Sequence, residues 1–268
     1  MRSHGPGFLV GVLALGLAAC ERSAAVVLPP SGVHIAHALG GIGGQVYTNS
    51  REALERSWER GFRWFEADVA LTADGVPVCI HEGFEGWLGL PRAVTRMSSQ
   101  EFLGSRLAGT YTPLSLVDLL ELLRSRRKAF LVLDTAGHSA ESLGRIGQAI
   151  DTVDPRLRRR VGIELYWPRE LALLREEERQ RGPFACLVFA NYRANLDADE
   201  LVRFVSESRI PLVAVGSAFL SRDVAIRLHA AGARIFVGTV NDRAEATRLA
   251  MNGADGLFTD FLAPGVTF

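Results

Sequence analysis

Residues 63–81 read Arg-Trp-Phe-Glu-Ala-Asp-Val-Ala-Leu-Thr-Ala-Asp-Gly-Val-Pro-Val-Cys-Ile-His. Arg63–Val69 is a short apolar strand that carries two acids, Glu66 and Asp68, two positions apart. Side chains alternate along a strand, so both carboxylates point to the same face. A second apolar run, Val76–Ile80, follows after only Leu71–Gly75. A parallel crossover needs about a dozen residues, so this connection must be a hairpin. Gly75 supplies the positive φ of its turn. A turn centred on Ala73–Asp74 sets position 81 opposite position 66, which brings His81 back beside Glu66.

Working outward, short apolar runs alternate with amphipathic stretches. The runs are Val33–His37, Arg63–Val69, Ala129–Asp134, Val161–Leu165, Ala185–Ala190, Pro211–Val215, Arg234–Thr239 and Gly256–Asp260. Helix signals separate most of them. Asn49 with Glu52 forms a capping-box pattern for a helix ending at Gly61. Ser221 opens a helix ending at Gly232, and Asp242 with Glu245 opens one ending at Gly253. Eight strands with intervening helices predict a parallel α/β fold, a (β/α)₈ TIM barrel spanning 32–268. The hairpin and an insertion follow the second barrel strand. In that insertion, residues 82–111 carry Phe84, Trp87 and Leu90 and read either as packing onto the barrel or as a lid or lipid-facing loop. A helix is predicted over Leu114–Arg124.

The chain has 268 residues, 48% of them hydrophobic and 22% charged, with 30 acids against 30 Lys and Arg. That balance excludes the whole-chain electrostatic footprint of a nucleic-acid binder. Three cysteines exclude a disulfide scaffold and a four-Cys zinc site. Lys128 is the only lysine and no Gly-Lys-Ser/Thr occurs, so P-loop chemistry is excluded. Residues 1–19 read as an export signal: Arg2, then an apolar Phe8–Ala18 segment too short to span a membrane. Leu17-Ala18-Ala19-Cys20 resembles a bacterial lipobox, which implies lipidation of Cys20; the competing reading is an ordinary secretory signal. Residues 20–31 then form the lipidated Cys and a tether. Glu21 resembles the sorting of a Gram-negative lipoprotein to the outer membrane. The expected location is the bacterial cell envelope, where ATP-dependent chemistry lacks its substrate. Cys79 and Cys186 sit in apolar runs and read as buried thiols.

A barrel of this kind carries its site at the carboxyl ends of the strands. Those ends bear His37, Glu66, Asp68, Asp134, Glu164, Asn241 and Asp260. Clustered carboxylates resist ionisation unless a cation joins them. Oxygen donors alone suit Mg²⁺ or Ca²⁺. Glu66, Asp68 and Asp134 are the expected ligands, with Glu164 either a fourth ligand or a residue behind them. His37 and His81 flanking a cation suit proton transfer to and from oxygen, the chemistry of phosphodiester cleavage.

The same residues resemble a known family. His37, Asn49-Ser50, Gly61, Glu66-Ala67-Asp68-Val69, Thr72-Ala73-Asp74-Gly75 and His81 are similar to the signature of glycerophosphodiester phosphodiesterases, relatives of phosphatidylinositol-specific phospholipases C. Gly238-Thr239-Val240-Asn241-Asp242 and Gly253 through Asp260 resemble its closing motif. The resemblance spans residues 33–263. It implies a divalent metal on Glu66, Asp68 and a third acid, His37 and His81 as the acid–base pair, and a phosphodiester substrate such as a phospholipid headgroup. Two departures stand out. Typical members carry Arg after the first His, where this chain has Ala38. They carry Glu and, two residues on, Lys, where it has Asp134 and Ala136. Gly40 and Gly41, with the Gly43-Gly44 pair, read either as backbone donors to a phosphate or as a plain turn. Asn241 is a further candidate for substrate contact, and Arg92 or Arg193 for reaching the site. The missing cations also leave open a barrel lipoprotein that binds a phosphate ester or a partner protein without turnover. The Arg156–Arg160 cluster reads as a solvated turn, residues 175–181 as an exposed helix face, and Trp64 and Trp167 as packing residues.

Overall fold

The computed structural model describes residues 26–135 and 139–265. The segment read as an export signal, Cys20 and Ala136 lie outside them. Eight parallel strands close into a barrel: β1 (Val33–Ala36), β2 (Trp64–Leu71), β4 (Phe130–Thr135), β5 (Val161–Leu165), β6 (Leu187–Ala190), β7 (Leu212–Val215), β8 (Arg234–Val237) and β9 (Gly256–Thr259). They follow one another around the sheet, and β9 and β2 both pair with β1 to close it. The ninth strand, β3 (Pro77–Cys79), lies antiparallel on β2. β1 ends level with Phe65, so the upper edge of β2 is left for β3.

Alternation along the strands builds two cores. Ile35, Trp64, Val132, Val188, Leu212, Phe236 and Phe258 fill the barrel, while Phe65, Ala67, Leu133, Ile163, Phe189, Val213 and Leu257 face the helices. Those helices are α1 (Arg51–Glu59), α3 (Leu116–Ser125), α4 (Ala140–Val153), α5 (Glu170–Arg181), α7 (Ala198–Ser208), α8 (Arg222–Ala230) and α9 (Arg243–Met251), with short α2 (Ser99–Leu103) and α6 (Asn191–Ala194). Ser221 and Asp242 cap α8 and α9 as the sequence predicts. At α1 the cap is Ser50, one residue later than predicted, accepting from the Ala53 N–H. Such a cap contributes about 1 kcal/mol. Glu52 turns instead to the Thr112 N–H and hydroxyl.

The hairpin forms, with its register one residue from the predicted one. Thr72 faces Val76 through its N–H and hydroxyl, leaving a three-residue loop closed by Gly75 N–H to Thr72 C=O. Gly75 has φ +73°. The loop is therefore centred on Asp74, and Val69 pairs with Cys79. One further bond in that register, Ile80 N–H to Asp68 C=O at 3.0 Å, carries the pairing to the barrel mouth, where the next residue, His81, lines the cavity. In the insertion, Leu88, Leu90, Val94, Met97, Phe102 and Leu107 pack on Ala70, Val78 and Ile80. Most of it is thus a packed annex; Trp87 alone of the three named aromatics and leucines is 52% exposed.

Three other expectations change. Arg158 is buried and pairs with Glu177 at 2.9 Å, and Arg160 donates to the carbonyls of Leu123, Arg126 and Ala129. The arginine cluster therefore locks α3 and α5 to the barrel, and Glu177 makes the α5 face only partly exposed. Residues 26–31, read as tether, are docked. Val27 N–H donates to Ala185 C=O, Arg234 donates to Pro29 C=O, and Val27 and Leu28 cover the barrel interior at the amino ends of its strands. Cys79 and Cys186 are buried free thiols, and burial pushes Cys186 up to about 12.

Candidate active site

A cavity of about 250 Å³ opens at the carboxyl ends of the strands. His37, Glu66, Asp68, His81, Asp134 and Glu164 all line it, with Tyr47, Tyr166, Tyr192 and Arg193. Strand register explains the acids. Asp68 pairs with Asp134 across β2–β4, and Glu66 lies one inward step below Asp68. Glu164 stands one residue beyond the last β4–β5 pair, Leu133–Ile163.

Glu66, Asp68 and Asp134 are buried, and each offers an oxygen within 4.8 Å of the others. Glu66 Oε2 accepts from the Ala38 N–H at 2.7 Å, while its buried Oε1 has no hydrogen-bond partner. Burial, then the charges of Asp68, Asp134 and Glu164, push the Glu66 carboxyl well above its usual range. An orphaned buried oxygen facing two more carboxylates is the donor set of a hard divalent cation. Glu164 falls outside this trio, and the Tyr192 hydroxyl donates to its Oε1. Burial and the Asp134 charge raise it as well. Tyr166 pins Asp134 in the same way.

Asn49, expected to cap α1, instead holds Asp68. Its Nδ2 donates to Asp68 Oδ2 at 2.7 Å and its Oδ1 accepts from the Asp68 N–H at 3.1 Å. Ala38 and Leu39 adopt φ +48° and +66°. Non-glycine residues pay about 1–2 kcal/mol each for that region. The bend is what aims the Ala38 N–H at Glu66, which is strain stored at a site.

The two histidines differ. His37 Nδ1 lies 2.9 Å from Asp260 Oδ1, and Asp260 Oδ2 accepts from Asn241 Nδ2 at 2.7 Å. Asn241 Oδ1 in turn accepts from the Thr259 hydroxyl and the N–H groups of Asp260 and Phe261. Asn241 is therefore a clamp behind Asp260, its side chain engaged by protein partners, and it is not among the residues lining the cavity. Burial alone would lower the His37 imidazole. The hydrogen bond and charge of Asp260, with Asp68 and Asp134 beyond, reverse this and raise it. His81 Nδ1 donates to the Glu82 carbonyl at 2.7 Å, which leaves Nε2 as its lone-pair nitrogen. The Tyr47 ring stands between the two imidazoles, edge-on to both, at 4.7 and 5.4 Å.

Gly40 N–H is spent on His37 C=O and Gly41 N–H on Asp260 C=O, and neither residue borders the cavity. A Cβ on Gly40 would meet Ser57 Oγ at 2.1 Å, so close packing explains the glycine. Arg92 is half-exposed on the annex and paired with Glu101. Arg193 does reach the cavity. The sequence offered no role for Tyr47, Tyr166 or Tyr192; the position of Tyr192 two residues past a strand end is the only signal that could have marked it.

Paired imidazoles across a carboxylate nest, at the mouth of a (β/α)₈ barrel, define a class: the phosphoric diester hydrolases. Within it, the chain belongs to the glycerophosphoryl diester phosphodiesterase family, whose profile matches residues 41–263. No curated protein sequence matches it significantly. Solved structures share its fold. A protein of Silicibacter pomeroyi described as a glycerophosphoryl diester phosphodiesterase superposes with a TM-score of 0.71 at 22% identity, covering 90% of this chain and 93% of that one. A phosphodiesterase of Oleispira antarctica, in complex with the product sn-glycerol-3-phosphate, gives 0.71 at 18% identity over 85% and 93%. The Thermotoga maritima glycerophosphodiester phosphodiesterase gives 0.64 at 21% over 85% and 94%.

Asp260 offers a direct check on His37. Asp260→Asn removes the partner that raises the imidazole, so the limb of the pH–rate profile governed by His37 should move to lower pH. An unmoved profile with normal turnover would remove Asp260 from any part in tuning His37.

Proposed function

We propose that this chain cleaves glycerophosphodiesters to a phosphomonoester and an alcohol, with a divalent cation held by Glu66, Asp68 and Asp134. The carrying observation is that these acids, His37 and His81 line one cavity. The all-oxygen donor set suits Mg²⁺ or Ca²⁺. When bound, the cation supplies charge stabilisation for a phosphoryl oxygen. His37, made more basic by Asp260, takes the proton of the attacking hydroxyl at Nε2. His81 Nε2, once protonated, gives its proton to the leaving alkoxide as the P–O bond to it breaks. Asn241 and Asp260 keep the His37 ring in one tautomer, the role of the third member of a triad.

The Cys20 anchor belongs to the same reading: a lipoprotein of the bacterial envelope, at the outer membrane or periplasmic face in a Gram-negative source. Six residue steps separate Cys20 from Val26, about 20 Å at full extension. Val27 and Leu28 dock on the closed end of the barrel. An anchor there holds the barrel by the end opposite its mouth, which favours water-soluble diesters over phospholipids in the anchoring membrane. Among the described residues, no helix is long and apolar enough to cross a membrane.

The test is a panel of glycerophosphodiesters and phosphoinositol esters, assayed with EDTA, Mg²⁺ or Ca²⁺. Metal-dependent release of alcohol is expected. A folded chain that releases nothing with either metal would leave the binding-lipoprotein reading in its place. Mass spectrometry of envelope protein should show a lipid adduct that Cys20→Ser removes.

A further inference from the structure

The cavity wall holds four carboxyl groups, two imidazoles and, among the described residues lining it, one guanidinium. That guanidinium belongs to Arg193, and its placement is built. β6 ends at Ala190, and the single turn α6 follows. Asn191 locks this turn from inside: its Oδ1 accepts from the Leu196 N–H at 3.1 Å and its Nδ2 donates to the Leu196 carbonyl at 3.0 Å. Tyr192 is tied down by its bond to Glu164. Arg193 then lies over the Tyr166 ring, 4.5 Å from its centroid, and Tyr166 is itself held by Asp134. At its end, Arg193 Nη2 comes 3.5 Å from His81 Nε2.

Arg193 makes no ion pair with a carboxylate among the described residues, although Arg92, Arg158, Arg175, Arg179, Arg181 and Arg227 all do. Its planar fork is held by an aromatic face, an arrangement that fixes orientation while leaving N–H donors unspent. A phosphodiester entering this cavity brings negative charge towards a wall of acids. It needs a cationic donor placed beside the proton-transferring nitrogen, and the fork stands there. We propose that Arg193 is the side chain that grips the anionic phosphoryl group of the substrate and presents its leaving oxygen to His81 Nε2. The assignment rests on the phosphodiesterase reading for its substrate, and its binding test does not depend on turnover.

The full-length chain in detergent, saturated with Mg²⁺ or Ca²⁺, is titrated with sn-glycerol 3-phosphate and with inorganic phosphate by calorimetry. Arg193→Ala should weaken both ligands about 10–100-fold, the span of a lost hydrogen bond to a charged group. Arg193→Lys should restore part of that loss, because it returns the charge without the fork. Affinity for the metal alone should not change in either variant. With a substrate that turns over, KM should rise with the ligand's dissociation constant. Unchanged phosphate affinity in Arg193→Ala overturns the proposal, whatever happens to turnover or melting temperature. So does a metal-loaded unaltered chain that binds neither ligand. If no diester is cleaved yet Arg193→Ala still loses phosphate affinity, the grip stands and the hydrolase reading alone fails.

Discussion

Replacing His37 or His81 by alanine is expected to lower turnover of a glycerophosphodiester by about 10²–10⁴-fold, the range for a lost general acid or base. Each ring lines the cavity and presents one nitrogen to it while the other is held by Asp260 or by the Glu82 carbonyl. The two substitutions should differ in stability. His81→Ala releases a backbone carbonyl and the end of the Arg193 side chain, neither of them a buried carboxylate. His37→Ala leaves the buried Asp260 carboxylate with Asn241 as its side-chain donor, and a carboxylate stripped of its partner costs more. The double variant should be scarcely slower than the worse single one, because residues of one proton-transfer pair act as a unit. Steady-state rates and thermal melting measure both. A wild-type rate in either single variant would take that histidine out of the chemistry.

The barrel was legible because its strands obey a period of two. Each apolar run alternates between the inner and outer cores, and the stretches between them carry caps that need no tertiary information. The misses all depend on distant neighbours. Asn49 and Ser50 are adjacent cap residues, and the choice between them is made by Asp68, which draws Asn49 away from α1. The Arg158 side chain is buried because Glu177, 19 positions on, enters the same gap. Composition alone reads four arginines in five residues as solvated. The hairpin slipped by one because a two-residue and a three-residue loop fit the same Thr-Ala-Asp-Gly. The Thr72 hydroxyl, bonding Val76, selects the longer loop.

The candidate site divides the same way. Glu66 and Asp68 were legible from spacing on one strand, and Asp134 from its strand end. The support around them was not. Asp260 is 223 positions from His37 and meets it only because β9 pairs with β1 to close the barrel. The tyrosines on Asp134 and Glu164 each follow the next strand around the ring. Gly40 and Gly41 show how a sequence leaves two readings open. A glycine run resembles a phosphate cradle until the partners of its N–H groups are known, and here those partners are carbonyls of the protein.

Glu66→Gln should invert the order of stability between metal-free and metal-loaded protein. Without metal, Glu66 is a buried acid whose folded-state proton affinity is raised by burial and by Asp68, Asp134 and Glu164. A carboxyl raised in the folded state contributes stability that is complete below its unfolded value and is lost as pH rises through its folded value. At neutral pH the metal-free chain has therefore forfeited part of that contribution. Gln cannot ionise, and its amide oxygen still accepts from the Ala38 N–H. The metal-free variant should melt at or above the unaltered chain, and should lose the gain in melting temperature that mild acid gives through Glu66. With Mg²⁺ or Ca²⁺ at about 100-fold over the dissociation constant, binding adds about 2.7 kcal/mol, or about 5–10 °C. The unaltered chain should take that increase. The variant, short of one charged ligand, should take far less of it. A Glu66 that served only to accept the Ala38 N–H would give no crossing, because metal would then shift both curves by the same amount.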